Sequence, residues 1–500
     1  MTASTVHALV ERAAKAHPEA VYAVSTETAE AITFAELLHD CRQVGAWLRG
    51  HGVVAGDTIS LVMPNSLQTV RLLLGAMHAG VCVNPVNLLA QGDAMRYVLD
   101  HADGKLVVAA PEWQERVQAL IGGIGRKVAV AVVAGGDASA FAGSPEREPT
   151  PAPDPASTAL LMYTSGTTGV PKGVMLSQAA LAANAAAISA EHQLTHADRV
   201  LAVLPLYHIN AFAVTMLAPL VASGSLAMAP RFSAAQFWRQ AVESRCTWIN
   251  VVPTIVSFLL EGEVPPRAAL AGIRFCRSAS SALPPEHHLA FEAKFGVGIV
   301  ETMGLTETVA PSFSNPIEAG LRKVGSVGRA SGGEARIVDA ALQAVADGVT
   351  GELAIRGPHV MSGYYKNGAA TREAFTADGW LRTGDLGHRD ADGFYFVTGR
   401  IKELIIKGGE NIAPREIDEV LLAHPGVLEA AAVGIADVHY GQEIMACVVL
   451  REGAVCSVDE LLAFCTDRLG RYKTPKVLRF VPGLPRGPSG KVQRLKLLDL

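Results

Sequence analysis

Residues 163–173 combine the side chains and backbone groups that proteins use to hold phosphate. The N–H groups of a glycine-rich loop can approach an anion closely, and hydroxyl groups and a lysine add further donors. The donors and glycines of this segment are Thr164, Ser165, Gly166, Thr167, Thr168, Gly169, Lys172 and Gly173. Apolar runs at 159–162 and 174–176 predict a strand on each side. The segment therefore predicts a phosphate-binding loop between two strands.

The spacing differs from that of the usual nucleotide P-loop, in which Gly-Lys-Ser/Thr follows a glycine and four further residues. Lys172 stands instead between Pro171 and Gly173. A flexible surface turn is the alternative interpretation, because Gly and Thr are common in turns. The density of phosphate donors between two apolar runs favours the binding loop.

Five other segments carry side chains able to contact a nucleotide, a metal ion or a carboxylate. They are Pro-Leu-Tyr-His at 205–208, Ser-Ala-Ser-Ser-Ala-Leu-Pro at 278–284, Glu-Thr-Met-Gly-Leu-Thr-Glu at 301–307, Arg-Thr-Gly-Asp at 382–385 with Gly-Arg at 399–400, and Pro-Arg-Gly-Pro-Ser-Gly-Lys at 485–491. Each alone has an ordinary structural interpretation, such as a strand-to-loop turn or a solvated basic tail. Their order along the chain makes the set specific.

In that order, from residue 163 to residue 491, the segments resemble the motifs of the AMP-forming adenylating enzymes. This family includes acyl-CoA synthetases, aryl-CoA ligases, peptide-synthetase adenylation domains and firefly luciferase. The resemblance implies a large and a small domain with the active site in the cleft between them. It also implies ATP, Mg²⁺ and coenzyme A as the cofactors and co-substrates.

The resemblance implies a catalytic role for several side chains. Lys491 would contact the carboxylate and phosphate oxygens during adenylation, and His208 would gate the acid pocket. Thr306 would meet phosphate and Glu307 would hold Mg²⁺, an ion that needs few protein carboxylates when phosphates supply most of its ligands. Lys402 would lie at the hinge between the domains.

The same resemblance implies the contacts to nucleotide and CoA. The implied nucleotide-binding residues are the loop residues Thr164 to Gly169 with Lys172, then Ser280, Ser281, Ala282, Glu301, Thr302, Met303, Asp385 and Arg400. Gly408 and Gly409 match a segment that the small domain turns toward the pantetheine arm of CoA. Met303 departs from the family, which usually has an aromatic residue stacked on adenine there, although Met can cover a base by soft packing.

The acid pocket is implied less sharply. Its expected lining includes Tyr207, Asn210, Ser278 and Gly304. Small apolar groups mixed with amides favour a compact acid, and the lack of an acidic residue beside Asn210 argues against an amino acid substrate. Arg231 and Arg277 are expected to form surface salt bridges, with pairing to a second carboxylate of the substrate as the alternative.

The order of elements predicts an α/β fold of two domains. Helix and strand signals alternate from the capping-box pair Thr33 and Glu36 to about residue 300, which predicts parallel sheets covered by helices. Short Gly-spaced strands beyond residue 324 predict a barrel-like part. A break near residues 399–402 separates a large N-terminal domain (1–400) from a small, mobile α+β domain (401–500) carrying Lys491.

Composition narrows the partners and the compartment. The net charge of −5 and the absence of a long basic run give no case for nucleic acid. Seven scattered cysteines without a CxxC pair predict reduced thiols in the cytoplasm. The N-terminus has no signal-peptide core, and the most apolar window, 214–230, is interrupted by Pro219 and Gly224, so no membrane insertion is expected. The sequence does not determine the oligomeric state, and a homodimer stays open.

These observations predict an ATP-dependent carboxylate–CoA ligase that works through an acyl-adenylate. A stand-alone adenylation enzyme that loads the phosphopantetheine of a carrier protein is the alternative, with the carrier expected on a separate chain. A luciferase-like oxygenase and a non-catalytic nucleotide-binding protein are more remote interpretations.

Overall fold

The computed structural model describes residues 4–90, 92–137, 139–142, 151–164, 170–487 and 492–500. Its helices are α1 (Val6–Ala16), α2 (Phe34–Gly50), α3 (Leu67–His78), α4 (Gly92–His101), α5 (Gln114–Ile121), α6 (Gln178–Glu191), α7 (Ile209–Ala211), α8 (Ala218–Ala222), α9 (Ala234–Glu243), α10 (Pro253–Glu261), α11 (Arg267–Leu270), α12 (Pro285–Phe295), α13 (Gly368–Ala374), α14 (Pro414–Leu422) and α15 (Val458–Lys473). A π-helical stretch, Phe212–Leu217, joins α7 to α8. Shorter 3₁₀ turns include Thr306–Thr308 and Ile401–Glu403.

The strands are likewise numbered in chain order. They are β1 (Val21–Ser25), β2 (Ala31–Thr33), β3 (Thr58–Val62), β4 (Cys82–Pro85), β5 (Leu106–Ala109), β6 (Ala129–Val132), β7 (Thr158–Thr164), β8 (Lys172–Ser177), β9 (Arg199–Ala202), β10 (Ser225–Met228), β11 (Trp248–Val251), β12 (Phe275–Ser278), β13 (Ile299–Leu305), β14 (Ala310–Ser314), β15 (Arg329–Ala330), β16 (Glu334–Val338), β17 (Gly351–Arg356), β18 (Gly363–Tyr364), β19 (Leu381–Arg389), β20 (Tyr395–Arg400), β21 (Ile405–Lys407), β22 (Glu410–Ile412), β23 (Val427–Asp437), β24 (Gly441–Leu450) and β25 (Val477–Phe480).

Two large sheets of mainly parallel strands form the N-terminal part of the fold. In the described residues one sheet has the order β18-β8-β7-β4-β3-β5-β6 and the other β15-β14-β13-β12-β11-β9-β10-β1-β2. Their central strands are short and buried, and strands such as β3 and β11 are mostly apolar, which is the pattern of parallel strands covered by helices. The predicted α/β architecture is confirmed.

The expected barrel-like part takes the form of an open sheet. Strands β16, β17, β19 and β20 pair antiparallel in that order, and no pairing among the described residues joins β16 to β20. One face packs on a small apolar cluster that includes Phe313, Leu353 and Tyr395. Because this sheet can bury its apolar face against the neighbouring sheet, it does not need to close on itself.

The C-terminal part is a separate α+β layer. Strands β22, β21, β24 and β23 form an antiparallel sheet, with β25 parallel to β24. Helices α14 and α15 cover one face, and Leu484 and Leu497 pack on the other. The small C-terminal domain is confirmed, while the division at residue 400 stays a prediction.

An ion pair joins the two parts across the cleft. Arg451 Nη1, after β24, lies 2.7 Å from Glu261 Oε1 at the end of α10.

Among the described helices, none combines the length and the apolar character needed to cross a bilayer.

Candidate active site

A cavity of about 350 Å³ lies where the strand ends of the large domain face the small domain. Strands β12 and β13 are adjacent and parallel, so the loop after Ser278 meets the far half of β13 at one edge of the sheet. Such edges, beyond the carboxyl ends of parallel strands, are where α/β folds bind ligands. The predicted site residues in the cavity wall are Ser280, Ser281, Ala282, Glu301, Thr302, Met303, Gly304, Asp385 and Arg400. Three segments that are distant in sequence therefore line one cavity.

The loop at Ser280 has a constrained backbone. Ser280 adopts a φ of +78°, in the left-handed region that non-glycine residues seldom occupy. Its hydroxyl accepts a hydrogen bond from Asn210 Nδ2 at 3.1 Å. Strain of this kind collects at ligand-binding sites, which agrees with the adenine-side position implied for this loop.

Two neighbouring residues of β13, Met303 and Gly304, contribute to the cavity in different ways. A Cβ on Gly304 would lie 1.7 Å from the carbonyl oxygen of Ala310, so only glycine permits the close approach of β13 to β14. Met303 lines the cavity and packs on the apolar cluster that includes Phe313. One side of Met303 is therefore held by the protein while the other can face a planar ligand.

Asp385 and Arg400 form the polar end of the cavity. They are directly opposite each other on β19 and β20, and Arg400 Nε donates to Asp385 Oδ1 at 2.6 Å. The Asp385 side chain is buried, whereas Arg400 remains partly exposed. The charge of Asp385 raises the pKa of Arg400. A carboxylate fixed by a neighbouring guanidinium is suited to accept hydrogen bonds from the two hydroxyls of a ribose.

Lys172, Glu307 and Tyr364 form a second charged cluster. Lys172 Nζ lies 4.8 Å from the centre of the Tyr364 ring, and the Tyr364 hydroxyl donates to Glu307 Oε1 at 2.8 Å. Burial raises the pKa of Tyr364, so its hydroxyl remains protonated and keeps donating. Glu307 Oε2 has no hydrogen-bond partner among the described residues. This free oxygen and the nearby cation fit the binding of a metal ion and of phosphate.

Sequence reasoning missed Tyr364, because nothing local marks it. Strand β18, which contains Tyr364, pairs antiparallel with β8, which begins at Lys172. Strands β7 and β8 also pair antiparallel, and Thr164 at the end of β7 lies opposite Lys172 at the start of β8. Ser165, Gly166, Thr167, Thr168 and Gly169, the tip of the predicted phosphate loop, lie outside the described residues.

Of the predicted acid-side residues, Gly304 lines the cavity, whereas Tyr207, His208, Asn210 and Ser278 are not part of its lining. The rings of Tyr207 and His208 contact each other at the end of the β9 segment, with centroids 4.7 Å apart. Burial raises the pKa of Tyr207 to about 12. Ser278 is fully buried, and its hydroxyl has no partner among the described residues. Asn210 contacts the cavity wall through its hydrogen bond to Ser280.

Arg277 is not the surface residue that we expected. Its exposed fraction is 1%, and its Nη1 donates to Asn210 Oδ1 at 2.6 Å and to Asn250 Oδ1 at 2.7 Å. No carboxylate pairs with Arg277 in the part of the chain that the structure describes. The prediction of a surface salt bridge is therefore wrong for Arg277. Arg231 is exposed, and it too lacks an ion pair within the described ranges.

The predicted elements of the small domain follow in sequence directly after the Asp385–Arg400 pair. Lys402 lies in the 3₁₀ turn between β20 and β21, where a hinge is expected. Gly408 and Gly409 form the tight β21–β22 turn, with φ of +54° and +88°. Lys491 and its neighbours 488–490 lie outside the described residues.

Thr306 begins the 3₁₀ turn that follows β13. Its side-chain hydroxyl makes no recorded hydrogen bond in the described part of the chain, so it is available to a ligand. The next residue, Glu307, belongs to the cluster with Tyr364. The turn therefore places Thr306 next in sequence to Glu307, whose cluster with Tyr364 includes Lys172.

Glu301 provides a prediction on pH dependence. The side chain is buried, Oε1 accepts from the Leu283 N–H at 3.3 Å, and Oε2 has no partner among the described residues. Burial raises the pKa of Glu301 to about 7 from an ordinary 4.5. The folded state then binds more protons than the unfolded state between these values, so the contribution of Glu301 to stability falls as pH rises from about 4.5 to 7.

We expect Glu301→Gln to raise the free energy of unfolding at pH 8 and to change it little at pH 4.5. The rise in the pKa of Glu301 from 4.5 to about 7 corresponds to roughly 3 kcal/mol in the free energy of unfolding. Denaturant unfolding of both proteins across pH 4.5–8 tests this. Parallel curves for wild type and variant would exclude a buried, titrating Glu301.

Comparison with known proteins agrees with this geometry. The AMP-binding enzyme family matches residues 10–365, and its C-terminal domain family matches residues 416–491. The chain is 54% identical to a sulfoacetate–CoA ligase of Cupriavidus necator over 499 residues, which is 99% of this chain and 97% of that protein. It is 34% identical to an oxalate–CoA ligase of Arabidopsis thaliana, over 99% of this chain and 98% of the other.

Among solved structures, the fold matches ATP-bound MatB of Rhodopseudomonas palustris with a TM-score of 0.92 at 30% identity. That match covers 99% of this chain and 98% of MatB. The family match spans most of the chain, and the relatives align over nearly their whole lengths. The chain therefore belongs to the AMP-binding enzyme family, within the AMP-forming acyl-CoA synthetase superfamily.

Proposed function

We propose that this AMP-forming carboxylate–CoA ligase activates a short carboxylic acid, with sulfoacetate as the first acid to test. The observation that carries the proposal is the cavity between the two domains, which joins the Ser280 loop, Glu301–Thr302 and the Asp385–Arg400 pair. The similarity to a sulfoacetate–CoA ligase over the full chain supports the choice of acid. The buried amides and arginine behind Ser280 support a small polar acid over a long aliphatic one.

In the first step a carboxylate oxygen attacks the α-phosphorus of ATP, and pyrophosphate leaves. This brings two anions together, at a cost of about 4 kcal/mol for unit charges 4 Å apart at an effective dielectric near 20. Lys172 supplies positive charge, and Thr306 supplies a hydroxyl donor. Asp385, held by Arg400, fixes the ribose and with it the α-phosphate. Glu307 would hold Mg²⁺, which neutralises phosphate charge when bound.

In the second step the thiol of CoA attacks the carbonyl carbon of the acyl-adenylate, the C–O bond to phosphate breaks, and AMP leaves. The thiol proton passes to solvent. We propose that residues 401–500 turn about Lys402 between the two steps, so that the Gly408–Gly409 turn replaces Lys491 at the active site. No covalent enzyme intermediate is needed in this sequence.

Lys491→Ala separates the two steps. We expect the variant to lose adenylate formation by about 10³-fold, because an ammonium that bridges carboxylate and phosphate acts only in that step. Thioester formation from chemically prepared acyl-AMP should be nearly unchanged. The two half-reactions are measured as pyrophosphate release and as thioester yield. An equal loss of both would exclude the two-step assignment.

Pyrophosphate release with ATP and Mg²⁺, measured over a panel of short acids with and without CoA, tests the function. We expect sulfoacetate to release pyrophosphate and CoA to be converted to its thioester. Pyrophosphate release without any acylation of CoA would favour the carrier-loading alternative.

The free cysteines of the described chain, six of them buried, support a reducing compartment such as the cytoplasm.

A further inference from the structure

We infer that Arg277 is the binding site for a second anionic group, a sulfonate or carboxylate, at the far end of the acid substrate. The inference rests on the proposed function and narrows its substrate class to short dianionic acids. It comes from a feature that the ligase chemistry does not require: a buried guanidinium that has no counter-ion among the described residues.

The burial of Arg277 is costly unless something pairs with its charge. The side chain is 1% exposed, and no carboxylate contacts it in the described ranges. Burial lowers the pKa of Arg277 to about 9, which still leaves the guanidinium charged at neutral pH. An uncompensated buried charge destabilises a protein by several kcal/mol, and such charges are normally paired.

Arg274, three positions earlier, shows the usual arrangement. Arg274 Nη1 lies 2.6 Å from Asp198 Oδ1, so its charge is paired within the protein. Arg277 has only neutral partners, the amide oxygens of Asn210 and Asn250, both on Nη1. Its Nε is buried and has no hydrogen-bond partner among the described residues. The difference indicates that a bound anion, rather than a described residue of the protein, pairs with Arg277.

The neighbours of Arg277 fix its position near the cavity. Asn250 lies directly opposite Arg277 on β11, and Asn210 approaches from α7. Asn210 also donates from Nδ2 to the hydroxyl of Ser280, which lines the cavity. The guanidinium is thus two hydrogen bonds from the cavity wall, on the side where the acid is expected.

His192, a basic residue near Arg277, does not compete for the anion. His192 is buried, and burial together with the charge of Arg277 lowers its pKa to about 3. His192 is therefore neutral at neutral pH, and the positive charge of this region resides on Arg277. A planar guanidinium binds carboxylate or sulfonate oxygens through two parallel hydrogen bonds, which would also satisfy Nε.

This arrangement predicts selectivity by charge. A dianionic acid supplies the missing counter-ion, whereas a monoanionic acid of equal size leaves Arg277 unpaired. Sulfoacetate and methylsulfonylacetate form a matched pair, because the second acid replaces one sulfonate oxygen by a methyl group and removes the distal charge. Malonate and its monomethyl ester form a second pair.

The test compares kcat/KM for pyrophosphate release with these four acids in wild type, Arg277→Met and Arg277→Lys. We expect wild type to prefer the dianionic member of each pair, and Arg277→Met to lower kcat/KM for the dianions by about 100-fold while leaving the monoanions unchanged or improved. Arg277→Lys should keep the preference with weaker binding, because the charge stays and the forked geometry is lost. Arg239→Gln, which removes an exposed arginine on α9, is the control and should change neither value.

Two results would overturn the inference. One is an equal fall for dianions and monoanions in Arg277→Met, which would make Arg277 a structural residue. The other is a wild-type enzyme that activates both members of each pair equally, in which case the ligase stands and the inference fails. If Arg277→Met does not fold, the wild-type comparison and Arg277→Lys still decide. If no acid of either kind releases pyrophosphate, the proposed function fails as well.

Discussion

Glu307→Gln is expected to lower the rate of pyrophosphate release by about 10³-fold, because it removes the carboxylate charge from the cluster that we propose binds Mg²⁺ and phosphate. The glutamine keeps the size of the side chain and can still accept from the Tyr364 hydroxyl, which lies 2.8 Å from Glu307 Oε1. The free Oε2, however, is replaced by an amide nitrogen, which donates hydrogen bonds and cannot bind a cation. The measurement is the rate as a function of Mg²⁺ concentration, which should shift to higher concentrations in the variant.

Tyr364→Phe is the matched control for this prediction. It removes the hydroxyl that contacts Glu307 and keeps the ring beneath Lys172, whose Nζ lies 4.8 Å from the ring centre. Loss of one hydrogen bond to a charged group corresponds to about 1.5–3 kcal/mol, so we expect a fall of at most about 100-fold. An unchanged Mg²⁺ dependence in Glu307→Gln would exclude Glu307 as the metal ligand.

Asp385→Asn is expected to raise the KM for ATP by about 100-fold. A carboxylate accepts from both ribose hydroxyls, whereas an amide offers one acceptor and places a donor against the other hydroxyl. A site built to bind a hydroxyl discriminates strongly once its buried polar group is mismatched. Arg400 Nε, 2.6 Å from Asp385 Oδ1, would also lose its ionic partner.

The measurement is pyrophosphate release over a range of ATP concentrations, with Asp392→Asn as the control. Asp392 pairs with Lys323 at the surface, 2.6 Å away, and its side chain is 68% exposed. Removal of such an exposed pair changes stability little and should leave the KM for ATP unchanged. Because Arg400 is partly exposed, Asp385→Asn should also fold normally. A wild-type KM in Asp385→Asn would contradict the ribose assignment.

The local parts of the fold were predictable from the sequence. Thr33 and Glu36 form the capping box at the start of α2, and Ser177 caps α6, as their spacing indicates. Short apolar runs became buried parallel strands such as β3 and β5, because burial on both faces favours continuous apolar sequence. Ser280 and Met303 meet at one cavity because the parallel strands β12 and β13 present their carboxyl ends at one edge, whereas Asp385 reaches the same cavity from the antiparallel strand β19.

Other features depend on contacts between residues distant in sequence. Whether short strands close into a barrel depends on whether their edge strands pair, and β16 and β20 do not do so in the described residues. Tyr364 meets Glu307 only because β18 pairs with β8. No periodicity or spacing in the sequence encodes these long-range pairings, so they could not be predicted from local patterns.

The sequence by itself determined the family, the α/β architecture and the residue types available for adenylation, because these depend on local patterning and on motifs in fixed order. The tertiary structure decided the environment of each charge. Arg277 and Arg231 look equivalent in the sequence, yet one is buried among amides and the other is exposed. Burial and pairing set the free energy of a charge, and both are properties of the packed chain. The inferred preference for dianionic acids therefore depends on tertiary structure, even where the chemistry of activation does not.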